Sequence, residues 1–135
     1  MKVWVCVTKP GNWRRVKKHK VFGLSQHAGN VVHMMKCGDL VLVHVLRPIN
    51  GIVAVYRLKS VLRGTKGVWD ESVYPFGIEL EQAEGFKTGM DPISLSSLMG
   101  SSSGNVEISP FLKGVPIFEV PGTSLERMEH RAKSR

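Results

Sequence analysis

The strongest constraint on this chain is a pair of long strand-forming runs joined by a tight connection. Leu40–Leu46 reads Leu-Val-Leu-Val-His-Val-Leu, and Ile52–Leu62 alternates apolar residues at Ile52, Ala54, Tyr56 and Leu58. β-branched and aromatic residues favour the extended chain, and Asn50-Gly51 before the second run is a hairpin signal. A two-stranded hairpin is not stable alone in water. The rest of the chain must therefore supply further strands and a covering layer.

Four other segments qualify as strands. Lys2–Thr8 (Lys-Val-Trp-Val-Cys-Val-Thr) stops before Pro10-Gly11, Val21–Leu24 is a short extended piece, Val73–Leu80 sets Phe76, Ile78 and Leu80 on one face, and Val115–Val120 closes the set. Trp13 and Val16, three apart among Arg14, Arg15, Lys17 and Lys18, predict a basic helix with a narrow apolar side. Gly29-Asn30 opens a second helix carrying Val31, Val32, Met34 and Met35, which Cys37-Gly38-Asp39 closes with Gly38 as a left-handed cap. A short helix over Pro92–Leu98, a Ser-rich loop at Gly100–Gly104 and a C-terminal helix over about residues 124–133, begun by Thr123-Ser124-Leu125-Glu126, complete the pattern. No internal repeat or linker divides the chain, so residues 1–135 read as one domain. The expected class is mixed α/β (α+β), a curled sheet or pseudo-barrel of five or six strands flanked by short helices.

Charge narrows the function. The chain carries 19 Lys and Arg against 11 Asp and Glu, a formal net charge of +8. Such a field favours polyanions: nucleic acid first, an acidic membrane second. The longest apolar stretch, Leu40–Leu46, is too short to span a bilayer, and no secretory leader is visible. Two isolated cysteines, Cys6 and Cys37, make no disulfide framework, so a reducing, cytoplasmic setting is the expectation. Arg14, Arg15, Lys17, Lys18 and Lys20 cluster around His19 and would hold phosphates without reading sequence; a solvated helix face is the plainer alternative.

Signals for catalysis are weaker. There is no Gly-x-Ser-x-Gly elbow, no His-Glu-x-x-His, no P-loop and no Rossmann fingerprint. Glu79 and Glu81 share a strand face but read as a solvated edge. His27, His33 and Cys37 lack a second ligand pair for zinc, and no cofactor or metal is expected. Trp69 lies beside a loop, where its ring would stack on a splayed base, although aromatics are more often core.

Several segments together resemble a known family. Trp4-Val-Cys-Val-Thr8, Asn12-Trp13, Val21-Phe-Gly-Leu24, Gly38-Asp39-Leu-Val-Leu42, Gly51-Ile-Val-Ala-Val55 and Tyr74-Pro-Phe76 follow the order and spacing of the EVE domain. That family is PUA-like and similar to the YTH domain, a reader of methylated adenine in RNA. The resemblance covers about Lys2–Val120. It implies a pocket for a flipped, often modified, base in RNA or DNA. Phe22 stands where relatives commonly have Trp, and Trp69 looks like the second wall. Asn12 matches a polar position that hydrogen-bonds the base. Gly23, Leu24 and Ser25 match the segment that reads the base edge, and Tyr74 would close the pocket.

Three function classes follow. One is a non-enzymatic module binding a modified base, with the basic helix on the phosphates. Another is a nucleic-acid-modifying enzyme or accessory subunit sharing the pocket, with His27 as the acid or base. The last is a protein-interaction adaptor using Met34 and Met35, which their helical spacing places more naturally in the core.

Overall fold

The computed structural model describes residues 1–84 and 117–120; the side chains of His27 and Asn30 lie outside that description. The elements run β1 (Val3–Thr8), α1 (Pro10–His19), β2 (Val21–Leu24), a single 3-10 turn (Gln26–Ala28), α2 (Gly29–Val32), β3 (Leu40–Val45), β4 (Gly51–Arg63), β5 (Phe76–Gln82) and β6 (Ile117–Val120). The expected helices at 92–98 and 124–133 and the Ser-rich loop fall outside the described residues.

The described strands form one six-stranded sheet in the order β2-β5-β4-β3-β1-β6. β1 runs parallel to β3, and the other described pairs are antiparallel. The parallel pair follows from connectivity. Pro10 sits in the first turn of α1, where its missing N–H costs nothing, and the chain then crosses over the sheet before returning as β3. The long strand β4 is bulged twice, at Val53 opposite Val43 and His44, and at Lys59 opposite Glu79 and Leu80. Each extra residue bends a strand and increases its twist, and two in one strand curl the sheet into a half-barrel. This is the mixed curled sheet expected from the sequence.

The sheet buries both faces. One face joins α1 and α2 through Trp4, Trp13, Val16, Tyr56, Leu58 and Ile78. The other carries Val3, Val5, Leu40, Leu42, Ile52 and Val55. Among the described residues, no helix is long and apolar enough to cross a membrane.

The structure corrects the second helix. It ends at Val32, and bonds from Met34 N–H to Val31 O and from Met35 N–H to Val32 O tighten its last turn. The competitor is Asp39. Its carboxylate accepts the Lys2 N–H at 3.0 Å, the Trp4 indole N–H at 3.0 Å and the Lys36 N–H at 3.0 Å. Capturing Lys36 pulls the chain off the helical path. Gly38 is left-handed (φ 96) as expected, but in the turn before β3 rather than at a helix end. Met35 joins the core, whereas Met34 is exposed. Val73–Pro75 also lie outside β5, because the Val73 and Tyr74 N–H groups bond to Asp70 O and close a turn.

Two buried groups tie stability to pH. Burial pushes the Asp39 carboxyl up, but the bonds from Lys2, Trp4 and Lys36 outweigh it and hold it below the ordinary carboxylate value. Its contribution is present above the unfolded pKa and is lost as pH falls through the lower folded one. Burial also lowers the His44 imidazole, whose Nδ1 has no hydrogen-bond partner among the described residues. Charging His44 opposes folding, so destabilisation begins as pH falls below its unfolded value of about 6.5. Urea midpoints measured across pH should fall in two stages. His44→Leu should flatten the stage near pH 6, and Asp39→Asn should lower stability at pH 7 by about 1–3 kcal/mol while flattening the acid stage.

Candidate nucleic-acid interface

The site is built on two glycines. Gly23 of β2 and Gly77 of β5 are direct cross-strand partners. A Cβ on Gly23 would lie 2.6 Å from Trp69 Cδ2, and one on Gly77 would lie 2.5 Å from Gly64 O. Both are needed because the segment from Gly64 to Tyr74 lands directly on the strand backbones. Thr65, fully buried, organises that segment: its hydroxyl accepts the Trp69 N–H at 3.1 Å and donates to Trp69 O at 3.1 Å. The Glu71 carboxylate accepts the Thr65 N–H at 3.1 Å and closes over Gly64. The indole N–H of Trp69 then donates to Val21 O at 2.9 Å, tying the segment to the edge strand β2.

The expected ring group assembles, with a different geometry. Phe22 and Trp69 lie in the core, 2% and 4% exposed. Their ring centroids are 5.7 Å apart with planes tilted 31°. Two rings sandwiching a base need about 7 Å, two contacts of about 3.5 Å each. The pair therefore does not stand as two open walls; each ring fills the other's space. Tyr74, half-buried, meets Trp69 edge-on at 4.9 Å. Gly23 lies under the indole and Leu24 is fully buried, so neither side of β2 presents a side chain to solvent there. Ser25 is half-buried just past the end of β2.

Helix α1 lies beside this group. Trp13 and Val16 are its buried residues, and Trp13 packs near Tyr56 at 6.5 Å. Arg15 reaches the other way, its guanidinium carbon 6.0 Å from the Trp69 ring centroid. Asn12, half-buried, precedes Arg15 by three residues and shares its flank of the helix. Arg14, Arg15, Lys17 and Lys18 are exposed, and among the described residues none forms an ion pair. Lys17, Lys18 and His19 sit in the last turn, where cations complement the helix dipole. Arg14 and Arg15 lie outside that turn and gain little from it.

Lys20 departs from the expected phosphate row. It is left-handed (φ 58) at the helix end, its Nζ donates to Lys17 O at 2.9 Å, and it lies 5.9 Å from the Tyr56 ring centroid. It caps the helix through a bond that is itself exposed to solvent. His33 and Cys37, expected on one helical face, fall beyond the end of α2 and lose that alignment. The His27 side chain, the candidate acid or base, lies outside the described residues. Glu79 is a structural group: Ser60 Oγ donates to it at 3.2 Å, and its ion pair and hydrogen bond with Lys66 lower its pKa.

Sequence reasoning missed Arg15 as the residue over the indole and Thr65 as its organiser. One signal was present: Gly23 and Gly77 interrupt strand-like runs, and an isolated strand glycine marks a close approach.

No family model matches the chain. A curated relative, the UPF0310 protein PH1033 of Pyrococcus horikoshii, is 33% identical over 45 residues, which is 33% of this chain and 31% of that protein. The match thus spans about a third of either chain. Solved structures match over far more. A hypothetical protein from Leishmania major superposes with a TM-score of 0.67 at 14% identity, covering 100% of this chain and 98% of that one. ASCH from Zymomonas mobilis gives 0.63 at 12% identity, covering 94% and 93%. The YTH domain-containing protein mmi1, solved with RNA, gives 0.67 at 8% identity, covering 97% and 80%. The fold is the PUA-like pseudo-barrel. ASCH and YTH domains share it, and at these identities the likeness is one of fold.

Gly23→Ala tests the seat of Trp69. The new methyl must displace the indole, since strand backbone cannot yield. Urea denaturation should show a loss of about 1–3 kcal/mol, and the Trp69 indole N–H should exchange faster by NMR.

Proposed function

We propose that this chain is a PUA-like binding module of the EVE type that holds an unpaired, modified base of single-stranded RNA beside α1. The carrying observation is the position of Arg15. Its guanidinium carbon lies 6.0 Å from the Trp69 ring centroid, and the side chain is exposed along with the neighbouring cations of the same helix. A planar cation beside rings suits a nucleotide, because it stacks on the base or reaches its phosphate.

In this reading the base lies beside Arg15 and Tyr74, which both meet Trp69, and is reached by Asn12 and Ser25. Asn12 offers both a donor and an acceptor to the base edge. Arg14, Lys17 and Lys18 lie along the backbone and hold phosphates without reading sequence. The neighbour solved with RNA supports RNA over DNA. The converging groups are rings, an amide and cations, which bind and orient, so the reading is of a reader and not a catalyst.

Fluorescence anisotropy with a labelled single-stranded RNA at 50 mM salt tests it. Binding should weaken steeply with salt, and Arg14→Glu with Lys18→Glu should cut affinity at least tenfold, by about 1.4 kcal/mol, and reduce the salt slope. Paired oligonucleotides with and without a base methyl test the modification. Absence of binding at low salt to every RNA tried would sink the reading.

A further inference from the structure

We propose that Phe76 and Arg63 form a second nucleotide position, which takes the base and phosphate adjacent to the one recognised beside α1. The proposal rests on the reading above and specifies its partner as a single strand of at least two unpaired nucleotides. Phe76 opens β5 and is only half-buried, with part of its ring against the core. In register its neighbours are Leu24 of β2 and Arg63 of β4. Leu24 is fully buried and fixes the inner side, while Arg63 is exposed and, among the described residues, makes no ion pair.

One end of the ring faces the start of α2, where a Cβ at Gly29 would stand 3.4 Å from Phe76 Cε2, and the half-buried remainder is the part a base could reach. Val73, 54% exposed, extends the apolar surface. Phe76 lies two residues beyond Tyr74, so their Cα atoms are at most about 7 Å apart. That distance is close to one nucleotide step of an extended strand. Bases stacked inside a duplex cannot reach two such rings, whereas splayed bases can.

Electrostatics gives the strand a direction. The Asp70 carboxylate accepts the Ser72 N–H and hydroxyl, and Glu71 is held on Thr65. These carboxylates repel phosphates from that corner of the loop. Phosphates are drawn instead to Arg15 on one side and Arg63 on the other, with the bases turned toward Tyr74 and Phe76.

The test compares a fluorescein-labelled eight-nucleotide oligoadenylate RNA with adenosine monophosphate, the latter followed by NMR titration. Phe76→Leu keeps an apolar side chain on the core but removes the stacking face, and Arg63→Glu alters only an exposed group. Each should weaken octamer binding roughly five- to tenfold, with Arg63→Glu also lowering the salt slope by about 1. Binding of the mononucleotide should stay within about twofold, and Phe76→Tyr should restore octamer affinity. If the folded variants, checked by circular dichroism, bind the octamer like wild type, the second position is wrong and the first stands. Equal weakening for octamer and mononucleotide would also overturn it, because Phe76 would then serve the first base. If wild type binds neither this octamer nor a base-methylated counterpart at low salt, both readings fall.

Discussion

The seat of the Trp69 indole on Gly23 is the contact on which the geometry of the candidate site depends. The close approach exists because a strand residue without a side chain lets a large ring touch backbone. Once there, the indole N–H reaches Val21 O, Thr65 clamps the Trp69 backbone from both sides, and Tyr74 meets the ring edge. Edge strand β2, the 64–74 segment and helix α1 thus converge on one side chain. The arrangement also protects the sheet edge, since a bonded, ring-covered strand is a poor template for another chain.

A second consequence is a division of charge. The sequence Lys9–Lys20 contains no acidic residue, and α1 has none in its first turn. Like charges on a ten-residue helix repel one another, and the dipole compensates only those in the last turn. The acidic groups of the neighbouring loop, Asp70 and Glu71, are held by local hydrogen bonds and do not neutralise the helix. Separated charge of this kind orients a polyanion that carries uncharged bases on one side.

Much of this was legible in the sequence, and what was not has physical reasons. The six strands follow from β-branched runs and turn residues because those signals are local. The short α2 was overestimated because Asp39, distant in contacts though near in sequence, captures Lys36 and Trp4. Such competition for a backbone N–H leaves no periodic trace. In the site, Asn12, Arg15, Trp69 and Tyr74 were all named, but their exposure was not readable. A ring beside a loop looks the same in sequence whether it faces solvent or folds inward onto a glycine. Arg15 and Lys20 belong to one charge run, yet one lies over an indole and the other caps a helix. Only the left-handed turn at Lys20, a tertiary consequence of Leu80 N–H bonding to Lys20 O, separates them.

The contact between Phe22 and Trp69 bears on how a base would be selected. Parting the two rings would expose on the order of 100 Å² of apolar surface, since each such side chain buries about 150–250 Å². At about 25 cal/mol per Å² that costs about 2.5 kcal/mol. Stacking of one base returns about 1–3 kcal/mol. The two terms nearly cancel, so an ordinary base gains little by opening the pair and does as well at the Tyr74 edge. An added methyl contributes about 0.8 kcal/mol of burial, about fourfold in affinity. The cost of opening is the same for every base, so closure lowers affinity across the board and leaves the methyl preference at about fourfold, as in an open sandwich.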